Sequence, residues 1–169
     1  MNKPIVFSLI GLLLSLIFGD AAHAADLKIG FVDAERINRE SAPAERATKK
    51  LEKEFAPREQ NLRKREQQIK LIQGQLEKDG LTMSESDRRT KEQELGRQTR
   101  EFQRLQREFR EDLNLRRNEE LSALFERANK VIKQIAETEK YDLIIQEAVY
   151  RSTRIDITEK VIKALAADK

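Results

Sequence analysis

Residues 44 to about 139 read as helix almost without interruption, and the one clear break is Asp79-Gly80-Leu81-Thr82-Met83-Ser84. Two helices of that length joined by one tight turn form an antiparallel hairpin. Such a hairpin has no interior of its own, so its apolar side must be covered by other copies of the chain or by something it holds.

The spacing of apolar residues shows how narrow that side is. Phe55, Leu62, Ile69 and Leu76 recur every seven residues, and Leu51 and Ile72 fill part of the second seam position. Arg58 and Arg65 occupy that second position where a tight coiled coil uses leucine. Both are expected to snorkel and pair with the facing helix. Glu54–Arg58, Glu59–Arg63 and Glu66–Lys70 have the favourable i,i+4 order for an exposed helix. Pro57 is expected to bend this helix or to free a carbonyl. The first arm helix over 44–78 would run about 50 Å.

Asp79-Gly80 suits a left-handed helix cap. Ser84 as N-cap with Asp87 three positions on then opens the second helix. Leu95, Phe102 and Phe109 keep the seven-residue period, with Leu105 beside them. From Leu121 through Leu124, Phe125, Ala128, Val131, Ile132 and Ile135 the apolar face widens, so this end packs into a body. Gly74 and Gly96 weaken their helices and are expected to mark a close helix approach. Leu81 and Met83 at the tip, with Leu76 near it, are candidate contacts for a held client. Methionine suits that role because it adapts to many shapes.

The ends of the chain supply strands. Leu27, Ile29 and Phe31 alternate on one face. A short helix over 34–39 follows, and Pro43 suits the start of the next. Leu143-Ile144-Ile145 reads as a buried strand, Ala148-Val149-Tyr150 as its partner, and Asp156-Ile157-Thr158-Glu159 as the cap of a last helix carrying Val161, Ile162 and Leu165. The fold class is α+β, mostly α. A small β-containing body, 25–43 plus 120–169, carries a long antiparallel helical hairpin arm, 44–119. Three short strands leave open edges, so the body is expected to join copies of the chain through Leu27, Ile29, Phe31, Leu143, Ile145 and Val149.

Residues 1–24 read as an export signal. Lys3 precedes an apolar run from Ile5 to Phe18, and Ala22-His23-Ala24 gives a small-x-small site with cleavage after Ala24. The mature chain is therefore expected in the periplasm. It has no cysteine, and the only histidine, His23, lies in the leader. The commonest general base and the soft metal ligands are thus missing from the mature chain. No phosphate-binding glycine loop is present. No enzyme activity and no cofactor are expected. Lys and Arg number 33 against 30 Asp and Glu, with the signs interspersed, which suits solubility more than nucleic-acid binding. The basic bias favours acidic clients and anionic membrane surfaces in a salt-dependent way.

Several segments in this order resemble the Skp/OmpH family of periplasmic holdase chaperones. They are 25–32 at the exported start, Leu51-Glu52-Lys53-Glu54-Phe55 in the first arm helix and Ser86-Asp87-Arg88-Arg89-Thr90-Lys91 after the tip. Phe102, Phe109, Arg116-Arg117-Asn118-Glu119-Glu120, Tyr141-Asp142-Leu143-Ile144-Ile145 and Asp156-Ile157-Thr158 complete the set. The resemblance implies a jellyfish-like homotrimer, with bodies joined at one end and three arms around a cavity. It implies ATP-independent protection of unfolded outer-membrane β-barrel proteins from aggregation on their way to the outer membrane. It also implies contact with lipopolysaccharide through a basic arm cluster. Arg116 matches that cluster, Arg117 adjoins it, and Leu105 stands where a further basic residue is expected. A structural or adaptor coiled coil of the envelope is the competing reading. It would show an uninterrupted apolar seam.

Overall fold

A computed structural model of the protein describes residues 27–167. The expected leader and its cleavage after Ala24 lie outside the described residues.

The chain opens with β1, Ile29–Phe31, and α1, Ala34–Glu40. The Asp33 carboxylate starts α1 by accepting from the Arg36 N–H at 3.0 Å. Ser41 serves two helices: its N–H donates to the Ile37 carbonyl, and its hydroxyl accepts from the Ala44 N–H at 3.4 Å. That hydroxyl makes Ser41 the N-cap of α2, Ala42–Asp79, so the helix begins two residues before the expected start and has 38 residues. Pro43 falls in its first turn, where its missing N–H costs nothing. The helix continues through Pro57 without a break.

The turn differs from the expectation. Gly80 is right-handed, with φ −56° and ψ −31°, and donates its N–H to the Leu76 carbonyl. A glycine is still required, because a Cβ there would run into that same carbonyl oxygen. Ser84 then caps α3, Glu85–Glu139, by accepting from the Asp87 N–H at 3.1 Å, while its own hydroxyl donates to the Asp87 carboxylate at 2.7 Å. The helix has 55 residues, about 80 Å. It ends on Lys140, a non-glycine residue at φ 57°.

β2, Leu143–Ile145, lies parallel to β1, with Ile29 opposite Leu143 and Phe31 opposite Ile145. Parallel neighbours need a long crossover. Here the crossover is the whole hairpin. The other edge of β1 is taken by residues 155–157. The Phe31 N–H donates to the Ile155 carbonyl at 2.8 Å, and the Phe31 carbonyl accepts from the Ile157 N–H at 2.9 Å. This corrects the expected third strand. Ala148-Val149-Tyr150 has strand composition, but both edges of β1 are occupied and the segment stands exposed without a ladder. β2 is likewise not buried as expected, since Leu143 is 48% exposed.

The last helix, α4, Thr158–Ala167, closes the body. Val32 and Ile37 from the start of the chain and Val161 and Leu165 from its end are fully buried together. Leu124, Ala128, Val131 and Ile132 of α3 complete that core. The widened apolar face of α3 therefore enters the body as its pattern predicts. Arg151 ties the two caps together: it donates to Asp156, which caps α4, and to Asp33, which caps α1, at 3.1 and 3.4 Å. The result is the α+β, mostly helical, body-and-arm fold expected from sequence.

Candidate functional site

The arm is held by a thin apolar seam and a row of ion pairs. Phe55 and Ile69 are buried, whereas Leu62, Leu76, Leu95, Phe102 and Phe109 are only half-buried. Along one side run Lys50–Glu120 at 2.6 Å, Glu54–Arg116 at 3.2 Å and Arg58–Asp112 at 2.8 Å. Each step of four residues up α2 meets a step of four down α3, and the sign alternates.

This row revises one expectation. Glu54 and Arg58 do not pair with each other; each crosses to the other helix. The cross-helix partners are nearer charges than the i,i+4 neighbour once the helices pack. Glu59–Arg63 and Glu66–Lys70 do form, at 2.6 and 2.7 Å. Arg58 reaches the facing helix and also lies over the Phe55 ring. Arg65 instead donates to Asn61 on its own helix at 2.9 Å. Glu120 is held below the usual carboxylate range, first by its hydrogen bond from Lys50 and then by the charge of Arg116.

Where the arm joins the body, an open groove of about 680 Å³ runs between α2 and α3. Ala47, Leu51, Phe55, Leu113, Leu121 and Leu124 form its apolar walls, and Glu52, Glu59 and Arg117 stand at its rim. Leu51 and Phe55 were expected as seam positions and Leu121 and Leu124 as part of the widened face, but the opening between them was not. The only signal for it was the run of alanines, Ala44, Ala47 and Ala56, on the α2 side, too small to fill the space opposite the leucines.

The remaining candidate residues scatter. At the tip Leu81 is fully exposed, Met83 is half-buried and Leu76 is half-buried in the seam. Arg116 is not a free cation: it bonds Glu54, Glu119 and Glu120. Arg117 is exposed. In the body, Phe31 is buried beneath the Arg151 guanidinium, and Ile29 and Ile145 are half-buried. Leu27, Leu143 and Val149 project into solvent, with Tyr150 beside them. Gly74 has nothing within 4 Å of where a Cβ would stand, and Gly96 has only the Arg100 guanidinium, so neither marks the expected close helix approach. Among the described residues no group of three or more His, Cys, Asp and Glu side chains converges as a metal site.

A polar helical hairpin standing on a small mixed body, with open apolar surface at the root and the base, defines a protein that works by holding others. The chain belongs to the family described as outer membrane protein, OmpH-like, whose profile matches residues 28–165. It is 32% identical to the chaperone protein Skp of Pectobacterium atrosepticum over 155 residues, covering 90% of this chain and 93% of that one. It is 30% identical to the chaperone protein Skp of Yersinia enterocolitica over 152 residues, covering 89% and 93%. The crystal structure of an OmpH-like protein from Caulobacter crescentus superposes with a TM-score of 0.71 over 90% of this chain and 92% of that one. At 15% identity that likeness speaks for the fold alone.

Proposed function

We propose that this chain is an ATP-independent holdase chaperone of the periplasm. It binds unfolded outer-membrane β-barrel proteins, prevents their aggregation and aids their delivery to the outer membrane. The observation that carries this reading is the arm of a chain in the OmpH-like family: a long hairpin whose seam is interrupted by Arg58 and Arg65 and opens into an apolar groove at the root. A structural adaptor would need an unbroken seam for a fixed partner, and the interruptions speak against one.

In this reading residues 25–43 and 120–169 are the body and 44–119 the arm. Three copies join through the body, at Leu27, Ile29, Phe31, Leu143, Ile145 and Val149, and the arms surround the client. Exposed apolar groups at Leu27, Leu143 and Val149 support that assembly, because a second copy would cover them. An unfolded barrel protein exposes alternating strands with free edges, which aggregate readily. Many weak contacts from several arms hold such a client by effective concentration, without tight binding at any one place. Leu76, Leu81 and Met83 supply contacts near the tip. Arg117 remains open to lipopolysaccharide phosphate, whereas the three carboxylates around Arg116 leave it little charge to offer.

The test is dilution of a urea-denatured porin into buffer with and without the purified chain, in the absence of nucleotide. The holdase keeps light scattering low. Unchanged aggregation with the chain in molar excess ends the reading, and a mass measurement of the free protein gives the number of copies.

A further inference from the structure

The segment between β2 and α4 carries the most exposed large apolar side chains of the body, Val149 and Tyr150, on backbone without a ladder. Every residue from Gln146 to Tyr150 is exposed. An apolar pair on backbone so poorly covered must be ordered each time something covers it, and that ordering opposes binding.

One residue ties this segment down. Among the described residues, every side-chain hydrogen bond or ion pair between 146–154 and the rest of the body ends on Arg151. Its Nε donates to the Asp156 carboxylate at 3.1 Å and its Nη2 to the Asp33 carboxylate at 3.4 Å. The guanidinium carbon lies 4.3 Å from the centre of the Phe31 ring, which is buried. Both acids also hold helix starts. The second oxygen of Asp33 accepts from the Arg36 N–H at the start of α1, and that of Asp156 from the Thr158 N–H at the start of α4. The guanidinium therefore has its full set of partners only when β1, α1 and α4 are all in place. Lysine brings a point charge without the fork or the flat face, so it does not make the three contacts together.

We propose that Arg151 is the positioning residue of an assembly surface: it clamps this segment to the closed body so that Val149 and Tyr150 are presented to a second copy of the chain. The sheet points to that occupant. Both edges of β1 are taken, by β2 and by residues 155–157, whereas the outer edge of β2 has no partner among the described residues. The apolar pair follows shortly after that open edge in the chain. A second copy brings both apolar surface and free backbone groups to such a place, and open strand edges are ready templates for another chain. The inference rests on the reading that copies join through the body. It adds the residue that makes the joining depend on closure of the two chain ends.

The test uses the full mature chain. Assembly is followed by sedimentation equilibrium, and amide exchange of the core around Val161 is measured on the same samples. R151K keeps a positive charge beside the two carboxylates. It leaves the core protected and weakens assembly about tenfold, the usual cost of ordering one or two side chains on association. D33N/D156N loosens the clamp from the other side. Asparagine caps a helix as well as aspartate does, so both helices keep their starts while the guanidinium loses its acids. Assembly of this variant shifts in the same direction. V149S/Y150S removes the presented side chains and keeps the clamp. In that background R151K causes no further loss, because a residue that acts only through its neighbours has nothing left to position. Loss of the same size in both backgrounds overturns the proposal in favour of a general effect on the body. Weakened assembly with an unprotected core in R151K overturns it too, as does an R151K chain that assembles like the parent. A parent chain that stays monomeric at every concentration instead ends the reading on which the proposal rests.

Discussion

Phe55 of α2 and Phe109 of α3 meet edge to face, with ring centroids 5.6 Å apart and planes at 82°. This is the main apolar bolt between the two arm helices near the body, because apart from Ile69 the seam above it is only half-buried. Replacing Phe55 by Ala should cost about 3 kcal/mol in arm stability. The loss should appear as faster amide exchange along 50–60 and 105–115, with the body core around Val161 still protected. Equal loss of protection in both regions would mean that arm and body unfold as one unit.

Gly74 lies inside α2, in the last turns before the tip, with open space around it. Substitution by Ala should therefore stabilise the arm by up to about 1 kcal/mol through helix propensity alone. Thermal unfolding followed by circular dichroism measures it. A lower melting temperature would show that a neighbouring copy comes close to Gly74.

Glu120 is held below the usual carboxylate range chiefly by its hydrogen bond from Lys50, and Glu139 chiefly by its hydrogen bond from Lys160. Because the folded values are depressed, their stabilisation is fully present above the unfolded value of 4.5 and is lost as pH falls through the lower folded values. Chemical denaturation midpoints should stay level from neutral pH down to about 5 and then drop. The variant E120Q should flatten part of that acid limb. An unaltered limb in E120Q would assign the acid sensitivity to other groups.

Deleting residues 71–97 removes the tip and leaves the core residues of the body, the groove and the ion-pair row in place. The shortened chain should assemble as the parent does and lose protection of a denatured porin. Sedimentation and light scattering check the two halves separately, and failure to assemble would contradict the division into body and arm.

The long elements were legible because their signals are local. Heptad spacing at Phe55, Leu62 and Ile69, the box at Ser84 and Asp87, and the widening face from Leu121 each report on a few neighbouring residues. The misreadings concern partners set by distant packing. Glu54 and Arg58 look like an i,i+4 pair until α3 brings Arg116 and Asp112 alongside. Val149 and Tyr150 have the composition of a strand, but β1 gives its free edge to residues 155–157 instead. Gly80 was expected in the left-handed region because glycine usually serves there. The structure uses its missing side chain, not its backbone freedom. The root groove was hidden for a related reason, since a gap between two helices belongs to neither sequence pattern alone.

The parallel pairing of Ile29 with Leu143 joins two segments more than a hundred positions apart, and Val32 packs with Leu165 near the other end. A chain still being made therefore has helices before it has a base to stand on. The first strand must wait for the last sixth of the sequence, with loop-closure entropy opposing every early attempt. A prematurely terminated copy has no C-terminal helix to seal the core. The topology thus acts as a check on completeness, admitting only finished molecules to any assembly built on that base.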